Sequence, residues 1–321
     1  MKNTLKGLAA LTLLSSSPSA LLAQDAPVPT AQDEATTLDD IVVLARRSGA
    51  PMWTVTRDDS TLILVGAIGR IPRDVTWRPD DLEAAAARSD LILTPQVGQA
   101  SVSDILRVIW RARTIGQMPR GTTTATYLSP ADQARLETIM AGERNQGWRT
   151  KSLLFLSFDL MKDKAGYGQG REGEDAVDVI RRAARRARIE TRPVGTVRGD
   201  DLVDSLITAP QATHLPCAEA AIAAAEYGPT AGRDRAEDWR ALRVADVVAS
   251  PIDKALSVCW PWADPEIGSQ LNQQWAAAIE TAMTGTGVTM GVAPIRLLAE
   301  DGGVLDGLEA RGFDVVGPAW K

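Results

Sequence analysis

The side chains able to do chemistry are few and badly spaced for most of it. The 321 residues hold one histidine, His214, two cysteines, Cys217 and Cys259, and 41 acids. A three-histidine zinc site, an H-E-x-x-H helix and a His–Cys–Cys centre each need more imidazole, or a closer cysteine pair, than this chain offers. A Ser–His–Asp triad would have to use His214, and no G-x-S-x-G presents a nucleophile. His214 stands in Thr213-His-Leu-Pro216, just ahead of the helix carrying Cys217, and reads as a surface or helix-start residue. Acid–base catalysis by two carboxylates needs no metal, but no spacing among the acids selects a pair. Gly166-Tyr-Gly168-Gln-Gly170 and Gly285-Thr-Gly287 misplace the third glycine of a dinucleotide loop, and neither lies between a strand and a helix start. No nucleotide cofactor is implied.

The elements that must position any site have an ordinary globular composition: 45% apolar and 24% charged residues, with net charge −6. A chain of this length can bury roughly 75% of its unfolded surface, so it needs no metal merely to fold. Its acidity argues against nonspecific binding of nucleic acid or an anionic membrane, which requires a concentrated basic face. Met1 to Ala23 has Lys2 and Lys6 ahead of an apolar run from Leu8 to Leu14, then small residues ending at Ala23. That is the pattern of a cleaved secretory signal, too short to span a bilayer. The mature chain carries no transmembrane stretch, and the periplasm is the expected compartment. There an oxidising environment favours pairing Cys217 with Cys259, a bridge contributing about 3–4 kcal/mol, with two buried thiols as the alternative.

Residues 24–39 read as a flexible leader and residues 40–321 as one α/β domain. Trp53 to Thr56 and Thr61 to Val65 are strand-like runs joined by a hairpin at Arg57 to Ser60. Helices are expected over Pro79 to Arg88, Ser101 to Thr114, from Ser129 onward, and over Glu174 to Arg188. Further helices are expected over Pro216 to Tyr227, Ala236 to Ala249, Ser269 to Met283, and Val304 to Arg311 with Gly312 as its cap. Leu91 to Thr94, Gly287 to Val292 and Phe313 to Val316 complete the strands. The helix at Ser101 repeats Val102, Ile105, Leu106 and Ile109 on one face and reads as amphipathic. The helix at Glu174 sets Ala176, Val177, Ile180, Ala183, Ala184 and Ala187 opposite Arg181, Arg182, Arg185 and Arg188, an arginine row read as a solvated face rather than an anion site. Trp260 and Trp262 are expected to cover the core near Cys259.

Two ends of this pattern resemble the TraB/GumN proteins, relatives of the Tiki metalloproteases. Pro51-Met-Trp53, Leu62 to Gly69, Ala84 to Arg88 and Ser89 to Pro95 follow the family's opening. Leu271-Asn272-Gln-Gln-Trp275, Gly291-Val-Ala-Pro294 and Gly302 to Val315 follow its closing strand–helix–strand. Gly173-Glu-Asp175 matches its middle element, and the Cys217 and Cys259 region resembles exported bacterial members. The resemblance implies an α/β fold with a divalent metal held by two G-x-x-H motifs and a Glu. Here the histidine positions are Gly69 and Pro294, the acid position is Pro95, the Arg-Asn pair is Leu271-Asn272, and the mid-chain Leu-Glu is Val194-Gly195. Glycine and proline side chains donate no lone pair to a metal. No metal and no catalytic residue are therefore assigned.

What survives builds a fold, and what is lost did chemistry. The expected function is that of an exported, non-catalytic binding or envelope-biogenesis factor whose ligand is an unidentified protein or envelope component. The alternative is an active periplasmic hydrolase, peptidase-like or glycan-related, with a rearranged or metal-free carboxylate site. The candidate cleft lies where the loops after Gly66 and Gly291 meet. Gly66, Gly69, Arg70, Gly291, Pro294 and Arg296 are its expected lining, with Arg70 and Arg296 as a positive lip for a carboxylate or phosphate.

Overall fold

A computed structural model describes residues 49–321, so the expected signal (1–23), the leader (24–39) and residues 40–48 lie outside the described residues. Eight strands are described: β1 (Met52–Arg57), β2 (Ser60–Ala67), β3 (Leu91–Thr94), β4 (Val97–Gln99), β5 (Glu190–Pro193), β6 (Thr196–Arg198), β7 (Gly287–Pro294) and β8 (Val315–Val316). The first helices are α1 (Asp80–Ala87), α2 (Val102–Gly116), α3 (Thr124–Tyr127), α4 (Pro130–Ile139), α5 (Leu153–Asp159), α6 (Ala176–Ala187) and α7 (Gly199–Thr208). They are followed by α8 (Leu215–Tyr227), α9 (Ala231–Arg240), α10 (Val244–Ala249), α11 (Pro251–Ser257), α12 (Pro265–Thr284), α13 (Ile295–Ala299) and α14 (Val304–Ala310).

The chain is α/β. Its main sheet has the order β5-β3-β7-β2-β1-β8, with β5, β3, β7 and β2 parallel and β1 antiparallel to both neighbours. β4 and β6 form a separate parallel pair. Asp58 and Asp59 make the tight turn of the β1–β2 hairpin, Asp58 taking φ 50°, a left-handed conformation that Asp tolerates. Leu62 to Ala67 are buried without interruption, as a parallel strand covered on both faces must be. The parallel register sets Gly66 beside Ala293 and Ala67 beside Pro294, so the two candidate motifs leave the same edge of the sheet side by side. Ligands of open parallel sheets bind outside this carboxyl edge.

The apolar interior has two main bodies. One surrounds the sheet and takes Leu82, Val179, Ile180, Trp239, Trp275, Ile279, Leu305 and Leu308 from the helices. The other is helical: Leu153, Leu156 and Met161 pack on the alanine-rich α8 and on Ile252 and Ala255 of α11, closed by the Cys217–Cys259 disulfide. The small side chains of α8 let neighbouring helices approach closely. α9 bridges the two bodies, with Ala231 in the helical core and Trp239 in the sheet core.

Several expectations change on folding. The helix expected over Ala236 to Ala249 is two, α9 and α10, because the chain turns at Ala241–Arg243, where Leu242 adopts φ 60°. The stripe of α6 buries Ala176, Val179, Ile180, Ala183 and Ala184, while Ala187 is exposed. Of its arginine row, Arg182 reaches Glu83 and Glu174, and Arg186, outside that row, also reaches Glu83. The closing strand shrinks to Val315–Val316 after Gly312, whose φ of 82° ends α14. His214 is buried, at the end of a 3₁₀ turn before α8, where desolvation lowers its pKa. Trp260 lies against the Cys259 core as expected, but Trp262 packs elsewhere. No helix among the described residues is long and apolar enough to cross a membrane.

Candidate functional site

The β2 exit is braced. Gly66 is buried, and an added Cβ would stand 3.0 Å from Ile295 and 3.1 Å from the Trp53 ring. Its carbonyl accepts a 2.7 Å hydrogen bond from the indole N–H of Trp239. One turn earlier on α9, the guanidinium of Arg235 donates to the carbonyl of Gly69 at 3.3 Å. Arg235 also forms a fully buried ion pair with Asp253 of α11. Burial disfavours the charge on Arg235, but the field of Asp253 and its hydrogen bond prevail and raise the pKa. Gly69 itself is exposed with open space around it, and Arg70, at φ 64°, is exposed and paired with Glu172. The exit that should have carried one metal ligand is thus held by an α9 clamp.

The β7 exit is different. Gly291 is buried between Trp275 and Leu64, each about a van der Waals contact from an added Cβ. Pro294 ends the strand, half-buried, and α13 follows at once. Arg296 in α13 is only 7% exposed. Its guanidinium stacks 4.5 Å above the Trp262 ring and forms no hydrogen bond or ion pair among the described residues. Desolvation lowers its pKa. The fields of Asp253 and Glu300 oppose that shift, and the charge of Arg235 adds to it. Tyr167, itself raised by burial, stands in the field of Arg70, Arg235 and Arg296, so these cations share one region around a half-buried phenol.

Arg296 faces a cavity of about 220 Å³ lined by polar groups: Ser257, Asp264, Ser269, Asn272 and Glu300, with Trp262 as one wall. Burial raises the Glu300 carboxyl above its ordinary range, the neighbouring Arg296 only partly offsetting it. Burial also acts on Asp264, but hydrogen bonds from the Ser205 hydroxyl and the backbone N–H groups of Ile267 and Glu266 outweigh it and hold this carboxyl low. Asp264 is committed to capping α12, with one oxygen on the helix N–H groups and the other on Ser205. Glu300 makes no comparable bonds among the described residues and is the carboxylate still available.

Of the six expected lining residues, the structure puts Arg296 on this cavity. Gly66 and Gly291 lie in the core, Pro294 is half-buried beside it, and Gly69 and Arg70 face solvent on the other exit. Pro95, at the expected acid position, leaves β3 on the same sheet edge. Asn272, the retained half of the expected Arg-Asn pair, lines the Arg296 cavity. The residues not foreseen are Trp262, Ser257, Ser269, Asp264 and Glu300. Only Trp262 had a visible signal, as a tryptophan following a cysteine that must be positioned. The implied divalent metal does not fit this donor set: Gly69, Pro95 and Pro294 offer no lone pair, and no group of three or more His, Cys, Asp or Glu among the described residues could hold one.

The model of the TraB/PrgY/gumN family matches residues 51–316, most of the chain and the whole of both exits. No curated protein and no solved structure matches it.

Proposed function

This chain belongs to the TraB/PrgY/gumN family, and we propose that it is an exported, non-catalytic binding factor that captures a carboxylate or phosphate group on Arg296. The observation that carries this reading is an arginine 7% exposed, lining a polar cavity, with no hydrogen-bond or ion-pair partner for its guanidinium among the described residues. Such a group has lost its water without gaining an anion, so a ligand bearing one gains the charge-assisted, bidentate contact the protein leaves unmade. Ser257, Ser269 and Asn272 supply neutral donors around it, and the Trp262 face holds the guanidinium plane in place. The protein's part is to bind and orient, because the motif positions hold no metal donors.

The test uses the chain from Gln24, exported through the periplasm. Bound metal is measured by mass spectrometry, and zinc, manganese, sulfate and phosphate are titrated calorimetrically. Sulfate or phosphate heat that disappears in Arg296→Met, with no stoichiometric metal, supports binding on this arginine. A stoichiometric metal of micromolar or tighter affinity, or anion binding indifferent to Arg296→Met, overturns it. Export is checked separately: charges placed within Leu8 to Leu14 should trap the protein in the cytoplasm.

A hydrolase reading rests on Glu300, whose raised pKa suits a general acid. Its partner would be Asp264, but both oxygens of that residue are occupied. Hydrolysis of a peptide or glycan substrate lost in Glu300→Gln, with anion binding intact, would favour it.

A further inference from the structure

The Arg296 cavity has a neighbour. A second cavity, of about 420 Å³, is lined by the next stretch of α12 and by α14, and the two share Asn272, Leu297 and Glu300 as walls. Ser269 and Asn272 line the first, and Asn272, Ala276, Ile279 and Glu280 line the second. Steps of three and four residues keep these side chains on one face of α12. The cavities are therefore successive stretches of one groove between α12 and the α13–α14 segment. Their character differs. The first is polar and holds Arg296. In the second Ala276, Ile279, Leu297 and Val304 supply apolar wall, and Gly302, Gly303 and Gly307 stand opposite in place of larger residues. A Cβ added at Gly302 or Gly307 would meet nothing within 4 Å, so the groove is open where these two stand. Its far end is closed by the ion pair of Glu280 with Arg311. From Asn272 to Glu280 the groove runs ~12 Å along the helix.

We propose that this groove takes an anionic amphiphile, with a carboxylate or phosphate on Arg296 and an unbranched alkyl chain laid along α12 towards Val304. The inference rests on anion capture by Arg296 and adds the other half of the ligand. Charge places the head. Arg296, at the polar end, forms no hydrogen bond or ion pair among the described residues, whereas Arg311 at the far end is already held by Glu280. The backbone selects the tail. A peptide laid in the groove would need partners for its own N–H and C=O groups. The walls are helices, whose backbone bonds are made internally. The turn between α13 and α14 has also spent its donors. Gly302 donates to the Asp306 carboxylate at 3.0 Å, and Gly303 donates to the Glu300 carbonyl at 2.8 Å. An alkyl chain asks for no such partner and gains by covering Ala276, Ile279 and Val304.

Calorimetric titration of the chain from Gln24 with inorganic phosphate, then with butyl, hexyl and octyl phosphate below their micellar range, tests the groove. Each added pair of methylenes should tighten binding about fourfold, as two half-buried groups would. Arg296→Met should remove phosphate binding and weaken octyl phosphate at least about tenfold. Gly307→Leu exchanges a poor helix former for a good one and fills the groove. It should return octyl phosphate to the affinity of inorganic phosphate, which itself stays unchanged. Phosphate bound through Arg296 with an affinity flat along the series overturns the groove and leaves anion capture standing. Octyl phosphate indifferent to Gly307→Leu lies elsewhere, which overturns the groove alone. Binding of the whole series indifferent to Arg296→Met, or no binding by any member, overturns anion capture and the groove with it. An apolar tripeptide acid that outbinds octanoate through Arg296 assigns the groove to a peptide and overturns the alkyl chain.

Discussion

The two strand exits at the centre of the sheet start from equivalent positions and reach opposite environments. Each has a glycine buried in its strand and an arginine soon after it, Arg70 on one side and Arg296 on the other. At the β2 exit α9 supplies the bonds: Trp239 to Gly66, Arg235 to Gly69 and to Asp253. Arg70 is left in solvent with Glu172 beside it. At the β7 exit the arginine is turned inward, stacked and unpaired among the described residues. Proximity to a former motif did not make these residues alike. Whether an arginine can recognise an anion depends on desolvation and on whether a carboxylate of the protein has already taken it.

That contrast can be broken at several points. The largest effect belongs to Asp253→Ala, which leaves Arg235 buried without its counter-ion near a second buried guanidinium. It should cost about 3–5 kcal/mol in urea unfolding and release the Gly69 carbonyl. A loss near 1 kcal/mol instead would mean that water reaches Arg235 and that the clamp is not dry. Next come the glycines. Gly66→Val should cost about 1–3 kcal/mol by forcing Trp53 and Ile295 apart, whereas Gly69→Val, with nothing within 4 Å of its added Cβ, should lie within about 0.5 kcal/mol of wild type. Equal costs would show that the two positions share one environment after all.

The pH dependence is smaller and has a definite sign. Burial raises the Glu300 carboxyl in the folded state, so its contribution to stability is full below the ordinary carboxylate range and is lost as pH rises through the raised value. Sulfate, whose charge stays constant, should bind more tightly over the same descent, as the neutralised Glu300 stops competing for Arg296. Glu300→Gln should flatten both curves, and a profile unchanged by it would remove Glu300 from the cavity's electrostatics. The smallest effect is Arg70→Ala, which should change stability by less than about 1 kcal/mol, as an exposed pair does, and leave sulfate affinity unchanged.

Much of the frame was legible in the chain. The β1–β2 hairpin, α1, β3, α4 and the closing α14 follow from alternation, helix-start residues and glycine caps, which are local signals. The family resemblance rested on the same segments. The Arg296 cavity was only partly legible because its lining comes from α11, the Trp262 segment, α12 and α13, which the topology gathers. The Arg235–Asp253 pair was invisible for a related reason: nothing local tells a buried arginine on α9 from the exposed arginines on either side of it. The amphipathic pattern of α2 was legible, but not the exposure of its apolar stripe, since the helix rests on α7 through its other side, where Arg107 pairs with Asp204.

The Cys217–Cys259 bond, described as a closure of the helical core, has a consequence for when the site exists. Cys259 is three residues before Trp262, the ring on which Arg296 lies, and the bond ties that short segment to α8. In a reducing compartment the tether is absent, and the aromatic platform is held by α11, by the start of α12 and by its packing against Val197, Ile267 and Leu271. Recognition would then be strongest in the oxidised chain, a safeguard against full capture of anions while the cysteines are reduced. Dithiothreitol should accordingly weaken sulfate binding at temperatures where circular dichroism still reports a folded chain, and undiminished affinity in the reduced protein would remove the safeguard.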